Sequence, residues 1–229
     1  LQTIAASGSI VISNDTERIV AGYFVLKPLG PVKIRGISDP VEVFEVGGVG
    51  PLRTRLQASA MRGLSKFVGR AREIAKLSDA FELARRGHGQ IVAAVADAGV
   101  GKSRLFYEFK AIAGSDALML DAYSVSHGKA SAYLPVIELL NDYFAITPGD
   151  DRRRRREKVG GKILMLDRAL EDTLPFLIAL LGLEDGDGDT AKANGSPLAG
   201  MDAHTRRRLT LKAIERVLLR ESLNQPLIV

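Results

Sequence analysis

Residues 96–103 constrain this chain more than any other stretch, because they place glycines, a lysine and a serine at the spacing of a phosphate-binding loop. They read Ala-Asp-Ala-Gly-Val-Gly-Lys-Ser. An apolar run from Ile91 to Val95 precedes them and predicts a strand, and the run from Arg104 to Lys110 predicts a helix. A strand, a glycine-rich loop and a helix in that order form the setting that a P-loop requires. The sequence therefore predicts an α/β fold that binds a nucleoside triphosphate.

Each chemically active position of the loop has a predicted role. The backbone N–H groups of Gly99 to Lys102 would face a β-phosphate at the positive end of the helix. The Lys102 ammonium would reach the β- and γ-phosphates, and the Ser103 hydroxyl would ligate Mg²⁺. The motif begins with Ala96, where glycine is usual, so this position loses the freedom to take a positive φ. The alternative is a helix start that reads Gly-Lys-Ser by coincidence.

Length and composition bound the class of protein. A chain of 229 residues with 46% hydrophobic and 26% charged residues is typical of one or two globular domains. None of its apolar runs approaches the ~20 residues that span a bilayer. The absence of cysteine excludes disulfides, thiolate catalysis and zinc–sulfur sites. The start at Leu1 carries no signal-peptide pattern, so we expect a cytoplasmic piece of a longer protein with no membrane partner.

The net charge of +5 comes partly from two arginine clusters, Arg152–Arg156 and Arg206–Arg208. Such clusters can bind nucleic acid. However, no aromatic residues are interleaved with them and no recognition motif accompanies them. We therefore expect a solvated helix start or loop at the first cluster and a helix start at the second, and nucleic acid binding is the weaker interpretation.

The first 46 residues differ in pattern from the rest of the chain. Four strands are predicted, separated by turns at 28–31 and 36–40, with one short helix after the first strand. The predicted strands are Ser9–Ser13, Tyr23–Lys27, Val32–Arg35 and Val41–Val46, and the helix is Thr16–Val20. So few elements cannot bury a useful core alone. This block is expected to need a partner sheet.

A glycine-rich boundary at 47–51 and a linking helix at 52–61 lead into an α/β pattern from Phe67 onward. Helices are predicted at 70–84, 102–113, 134–144, 162–183 and 204–222, with further strands at 117–120 and 225–229. A long loop rich in Gly, Asp and Asn is predicted at 184–200.

Two segments resemble known families. Gly8-Ser-Ile-Val-Ile-Ser13 through Gly36-Ile-Ser-Asp-Pro-Val-Glu-Val-Phe44 resembles the C-terminal end of a class III adenylate/guanylate cyclase domain. Phe67-Val-Gly-Arg-Ala-Arg-Glu73, followed by the P-loop, resembles the opening of an AAA/STAND-type ATPase. The resemblance implies the C-terminal strands and helix of an α+β cyclase domain at 1–48, a linker at 49–66, and the first part of a parallel-sheet P-loop NTPase at 67–229. The two domains occur together in bacterial signalling proteins.

The resemblance also implies a set of site residues, with ATP and Mg²⁺ as cofactors. It places Phe67, Val68, Gly69 and Arg70 beside the adenine, and Arg35 at a phosphate-contacting position of the cyclase where lysine is common. The phosphate side comprises Ala96, Asp97, Ala98, Gly99, Val100, Gly101, Lys102, Ser103 and Arg104, with Ser103 as the metal ligand. Glu73 is expected to stabilise the first turn of its helix.

The resemblance further implies that neither catalytic site is complete. The metal-binding aspartates of such cyclases precede the equivalent of Leu1, and the acids of the ATPase strand follow the equivalent of Val229. Asp121, at the end of a predicted strand, is an internal alternative as a magnesium ligand. We therefore expect ATP-Mg binding without complete catalysis, and a dimeric parent cyclase that makes cyclic AMP or cyclic GMP. The alternative is a non-catalytic interaction module with a vestigial P-loop.

Two weaker patterns are set aside. Asp185-Gly-Asp-Gly-Asp189 opens like a calcium loop, but Thr190 and Ser196 stand where glycine and glutamate are required. Ser124 and Ser126 lie near His127, but no Gly-x-Ser-x-Gly elbow accompanies them.

Overall fold

The computed structural model is a mixed α/β chain that describes residues 1–2, 4–34, 36–50, 52, 54–123, 133–184, 198 and 200–229. Its elements in chain order are β1 (Val11–Ser13), α1 (Asn14–Val20), β2 (Phe24–Val32), β3 (Val41–Val49), α2 (Arg55–Met61), α3 (Ala71–Arg85), α4 (Lys102–Ala113), β4 (Leu118–Met119), α5 (Leu134–Tyr143), α6 (Arg152–Leu166), α7 (Leu174–Leu180), α8 (Ala203–Ser222) and β5 (Leu227–Ile228). Short 3₁₀ helices occupy Gly114–Asp116 and Arg168–Thr173.

The chain forms two compact units. The first comprises residues 1–74 and 94–108, and the second comprises residues 75–93 and 109–229. The predicted P-loop and the Phe67–Arg70 segment both belong to the first unit.

The first unit contains an antiparallel sheet in the order β1-β3-β2. Residues 24–32 form one strand, so the predicted turn at 28–31 is wrong; of the strand predicted from Val32, only Val32 belongs to β2 and residues 33–34 form no strand. The pairing of β2 with β3 shifts register between Pro28 and Gly30, where Gly30 has a φ of 89°. An edge strand can hold Pro28 and Pro31 because their missing N–H groups interrupt no ladder on the open side.

Little of this sheet is buried. Val43 in the central strand is completely buried, whereas Ile10, Val25 and Val49 are more than half exposed. Apolar side chains on an open sheet surface contribute little to stability until another element covers them. The described part of the first unit therefore leaves apolar sheet surface in contact with water.

The second unit has a helical core. Its fully buried members include Leu140 of α5, Val159 and Ile163 of α6, Leu177 of α7 and Val217 of α8. This core unites helices from distant parts of the sequence, which explains their amphipathic patterns.

The single helix predicted at 162–183 is wrong, because the structure divides this stretch. Helix α6 ends at Leu166, and Asp167 takes an extended conformation with a φ of −168°. Its side chain accepts a hydrogen bond from Ala169 N at 2.9 Å and so caps the following 3₁₀ helix. Pro175 then lies in the first turn of α7, where its missing N–H costs nothing.

The first arginine cluster opens helix α6, which is one of the two structures, helix start or loop, expected for it. Asp151 caps α6 by accepting a hydrogen bond from Arg154 N at 2.7 Å. Among the described residues, no helix is both long and apolar enough to cross a membrane.

The strands predicted at 117–120 and 225–229 are present in short form. They pair in parallel as β4 and β5, with Leu118 opposite Leu227. The strand predicted from Ile91 to Val95 is wrong: these residues form no strand, and Ile91 and Val95 are almost completely exposed. A strand exists through hydrogen bonds to a neighbour, and no described segment pairs with this one.

Some predictions fall outside the described residues. These are Arg35, the calcium-like loop from Asp185 to Asp189, the Ser124–His127 segment, and almost all of the loop predicted at 184–200.

Candidate functional site

The predicted P-loop has the backbone conformation that its glycines permit. Gly99 and Gly101 have φ values of 82° and 90°, which side-chain-bearing residues rarely adopt. A Cβ atom at either position would meet open space, so conformation and not crowding requires glycine here. Ala96 does not have a positive φ. The alanine at the first motif position is therefore compatible with the loop.

The Lys102 ammonium lies across the loop. Its Nζ atom donates to the carbonyl oxygen of Ala96 at 2.7 Å and to that of Asp97 at 2.8 Å. These neutral acceptors hold the ammonium at the loop, and among the described residues no carboxylate forms an ion pair with it. Phosphate oxygens would be stronger acceptors for the same ammonium.

The loop faces solvent at the start of α4. Residues 96–101 and Ser103 are exposed, and the Leu105 amide makes the helical bond to Gly101 O at 3.0 Å. The amides that precede Leu105 belong to the first turn, where helix geometry supplies no intrahelical partner. An anion can therefore approach an open, positively polarised helix start.

The Phe67–Arg70 segment lies against this loop within the first unit. The Arg70 guanidinium donates to Val100 O at 3.0 Å and to Glu73 Oε1 at 2.9 Å. Glu73 thus pairs with Arg70 in addition to lying in the first turn of α3, where its predicted dipole role applies. Val68 is 69% exposed.

Arg104 connects the same two parts of the site. Its Nη2 donates to Ser65 O at 2.9 Å, and its Nε donates to Glu108 Oε1 at 2.5 Å. The guanidinium carbon lies 5.8 Å from the ring centroid of Phe67. The sequence predicts Arg104 as a nucleotide contact, and in the structure its Nε and Nη2 groups donate to protein acceptors.

The family profile of the AAA ATPase domain matches residues 66–229, more than two thirds of the chain. The chain belongs to this family. It is also 26% identical over 110 residues to an uncharacterized protein of Rhizobium meliloti (strain 1021). That match covers 48% of this chain and 11% of the relative, so the chain corresponds to a small part of its length. No solved structure matches the chain.

The AAA ATPase family implies use of nucleotide and usually of Mg²⁺. Ser103 fits the role of metal ligand, because this residue is exposed in the first turn of α4. Within the described residues, no group of three His, Asp or Glu side chains could hold a metal by itself. A bound cation would need phosphate oxygens to complete its ligands.

Asp121 is poorly suited to the magnesium role that was its alternative. Both carboxylate oxygens accept hydrogen bonds from Lys110, and Tyr123 Oη donates to Oδ2 at 3.0 Å. Burial, followed by the charge and hydrogen bond of Asp121, raises the pKa of Tyr123 to about 12. The phenol therefore stays protonated as a donor at neutral pH. A cation at Asp121 would have to displace the Lys110 ammonium.

The sequence prediction missed two members of the site, Ser65 and Glu108. The Arg104–Glu108 spacing of four residues on a helix could have indicated an ion pair. No local pattern indicates the contact of Arg104 with the Ser65 carbonyl, because 39 residues separate them.

Proposed function

We propose that this AAA ATPase domain binds ATP-Mg through residues 96–103, with the Phe67–Arg70 segment on the base side. The observation that carries the proposal is the open P-loop, with Gly99 and Gly101 in the left-handed region and Lys102 held over the loop by two carbonyls. Polyphosphate binding needs loop glycines in this conformation and exposed backbone amides. It also needs a lysine that is not already paired, and among the described residues Lys102 has no carboxylate partner.

In this proposal each residue has a defined task. The loop amides and Lys102 bind phosphate oxygens, and Ser103 orients the cation that neutralises them. Mg²⁺, when bound, supplies charge stabilisation of the triphosphate. Because Asp121 is paired with Lys110, we propose nucleotide binding as the activity and do not assign Asp121 a step in hydrolysis.

The experiment is titration of the chain with ATP-Mg by calorimetry, comparing wild type with Lys102→Ala. One charge-assisted contact contributes about 1.5–3 kcal/mol, so the variant should bind roughly 10- to 100-fold more weakly. Lys76→Ala is the matched control, because it removes an equal charge from an exposed position of α3. Equal affinity of wild type and Lys102→Ala would refute the site.

We further propose that residues 1–48 are the C-terminal part of a class III nucleotidyl cyclase domain, joined by a linker at 49–66 to the AAA ATPase domain. The antiparallel sheet with its exposed apolar side chains supports this, as does the Gly36–Val41 motif. In the parent protein, ATP at the P-loop would regulate a dimeric cyclase that takes part in signalling. The coding sequence before Leu1 tests this: a pair of metal-binding aspartates supports it, and an unrelated domain there overturns it.

One observation favours the alternative of a non-catalytic interaction module: the exposed side chains of Ile10, Val25 and Val49 offer a partner apolar surface. Titration with and without Mg²⁺ separates the two functions. A folded sample that binds no ATP at millimolar concentration would favour the interaction module.

A further inference from the structure

Two arginine contacts connect the base-side segment, Phe67–Arg70, to the phosphate loop, one at each end of the segment. Arg70 bonds to the carbonyl of Val100 inside the loop, and Arg104 bonds to the carbonyl of Ser65 just before the segment. These contacts join positions 30 and 39 residues apart within the first unit. We call the pair, Arg70 with Arg104, the arginine clasp.

The segment that the clasp holds has no regular structure of its own. Residues 63–68 lie between α2 and α3 without helix or strand, and Lys66, Val68 and Gly69 are exposed. Gly69 has a φ of 78°. A segment with so little burial is ordered by the few contacts it makes. The guanidinium contacts of Arg104 are therefore a main constraint on where Phe67 and Val68 lie.

We propose that Arg104 is a positioning residue: it fixes Phe67 and Val68 for the nucleotide base, so that the site binds a nucleoside triphosphate more tightly than bare triphosphate. This rests on the proposed ATP binding and names what supplies its preference for a base. Arg104 directly follows Ser103. The first turn of α4 therefore carries both the proposed phosphate-binding residues and the arginine that anchors the Phe67–Arg70 segment.

The chemistry of the contact favours arginine over lysine. The Arg104 fork reaches Ser65 O and Glu108 Oε1 together while its guanidinium carbon lies 5.8 Å from the ring centroid of Phe67. A lysine ammonium is a compact charge and cannot make this set of planar contacts at once. Because the Nε and Nη2 groups both donate to protein acceptors, we propose that Arg104 acts through residues 65–68 and not by touching phosphate.

Arg70 has a different predicted effect. Its acceptor, the carbonyl of Val100, shares a peptide group with the N–H of Gly101. Fixing that carbonyl therefore fixes the direction of an amide that faces the phosphate. Loss of Arg70 should weaken ATP and bare triphosphate alike, whereas loss of Arg104 should weaken ATP selectively.

The test measures dissociation constants for ATP-Mg and for inorganic tripolyphosphate with Mg²⁺ by calorimetry. Arg104→Ala should lose about tenfold in ATP affinity, because binding must then order the segment that Arg104 no longer fixes, with tripolyphosphate affinity unchanged within about twofold. Arg104→Lys should restore only part of the loss. Arg72→Ala, at an exposed position of α3, is the matched control and should bind both ligands like wild type.

Retained tripolyphosphate binding shows that the Arg104→Ala loop is folded. If the variant does not fold, Glu108→Gln replaces it, because this change loosens one anchor of Arg104 and should give a smaller, equally selective loss. Equal losses of affinity for ATP and for tripolyphosphate in a folded variant would show direct phosphate contact and overturn the proposal. Affinities equal to those of wild type for both ligands would overturn it as well. Wild-type protein that binds neither ligand would instead overturn ATP binding itself, and the positioning role with it.

Discussion

A buried hydrogen bond in the helical core offers the sharpest test of how the second unit is held together. Tyr143 Oη donates to Glu221 Oε2 at 2.6 Å, and the two residues are 2% and 6% exposed. Gln225 donates to the other carboxylate oxygen at 2.8 Å. Lys162 Nζ lies 3.9 Å from the Tyr143 ring centroid and donates to its carbonyl oxygen at 2.7 Å. The bond joins α5 to the end of α8.

Tyr143→Phe removes the phenol donor and leaves a buried carboxylate oxygen without that partner. A hydrogen bond to a charged group contributes about 1.5–3 kcal/mol. We therefore expect the free energy of unfolding at pH 7 to fall by about that amount, because the variant fills the same volume and creates no cavity. For a protein of this size the melting temperature falls by roughly 2–4 °C for each kcal/mol.

The effect should depend on pH with a defined sign. Burial alone would raise the pKa of Glu221, but hydrogen bonds from Tyr143 and Gln225 and the charges of Lys162 and Arg220 outweigh it and hold the pKa below its usual value. A lowered pKa contributes stability above the unfolded-state value, about 4.3 for glutamate, and that stability is lost as the pH falls through the folded-state value. The gap between wild type and Tyr143→Phe should therefore narrow in acid.

Urea unfolding followed by circular dichroism measures the difference in free energy of unfolding between wild type and Tyr143→Phe. The measurements run from about pH 7 to about pH 3, which covers the titration of glutamate. Tyr107→Phe is the matched control, because Tyr107 is 39% exposed on α4 and its change should lie within about 0.5 kcal/mol. A Tyr143→Phe protein as stable as wild type at pH 7, or a gap independent of pH, would refute the reasoning.

Two further predictions concern the loop and a helix cap. Gly101→Ala should lose ATP binding and about 1–2 kcal/mol of stability, because alanine cannot easily adopt a φ of 90° although its Cβ has room. Calorimetry measures the ATP affinity and urea unfolding measures the stability. An ATP affinity equal to that of wild type would contradict the prediction. Asp151→Ala should lower the free energy of unfolding by about 1 kcal/mol, because the Arg154 amide loses its capping hydrogen bond. Asp151→Asn should keep most of that stability. Equal urea midpoints for the two variants would contradict the capping role.

Local signals predicted helix α4 well, because loop glycines and helical periodicity act over a few residues. The strand predicted at Ile91–Val95 is wrong, because a local apolar run does not indicate whether a neighbouring strand is present. None of the described segments pairs with it. The apolar continuity of 162–183 suggested one helix, although Asp167 and Pro175 were visible as a cap and a helix start. The contact of Arg70 with the loop depends on packing across 30 residues and carries no sequence pattern.

The distribution of burial has a consequence for how nucleotide would act on this chain. Among the described residues of the first unit, the buried hydrophobic side chains are Val43 and Leu105, whereas the second unit contains an extended buried core. A ligand that binds only the folded state stabilises it by RT ln(1 + [L]/Kd), about 2.7 kcal/mol at one hundred times Kd. That amount is a large fraction of the stability that so small a core can supply. Because the P-loop and the arginine clasp both lie in the first unit, the proposed nucleotide binding would stabilise the unit with fewer buried hydrophobic side chains.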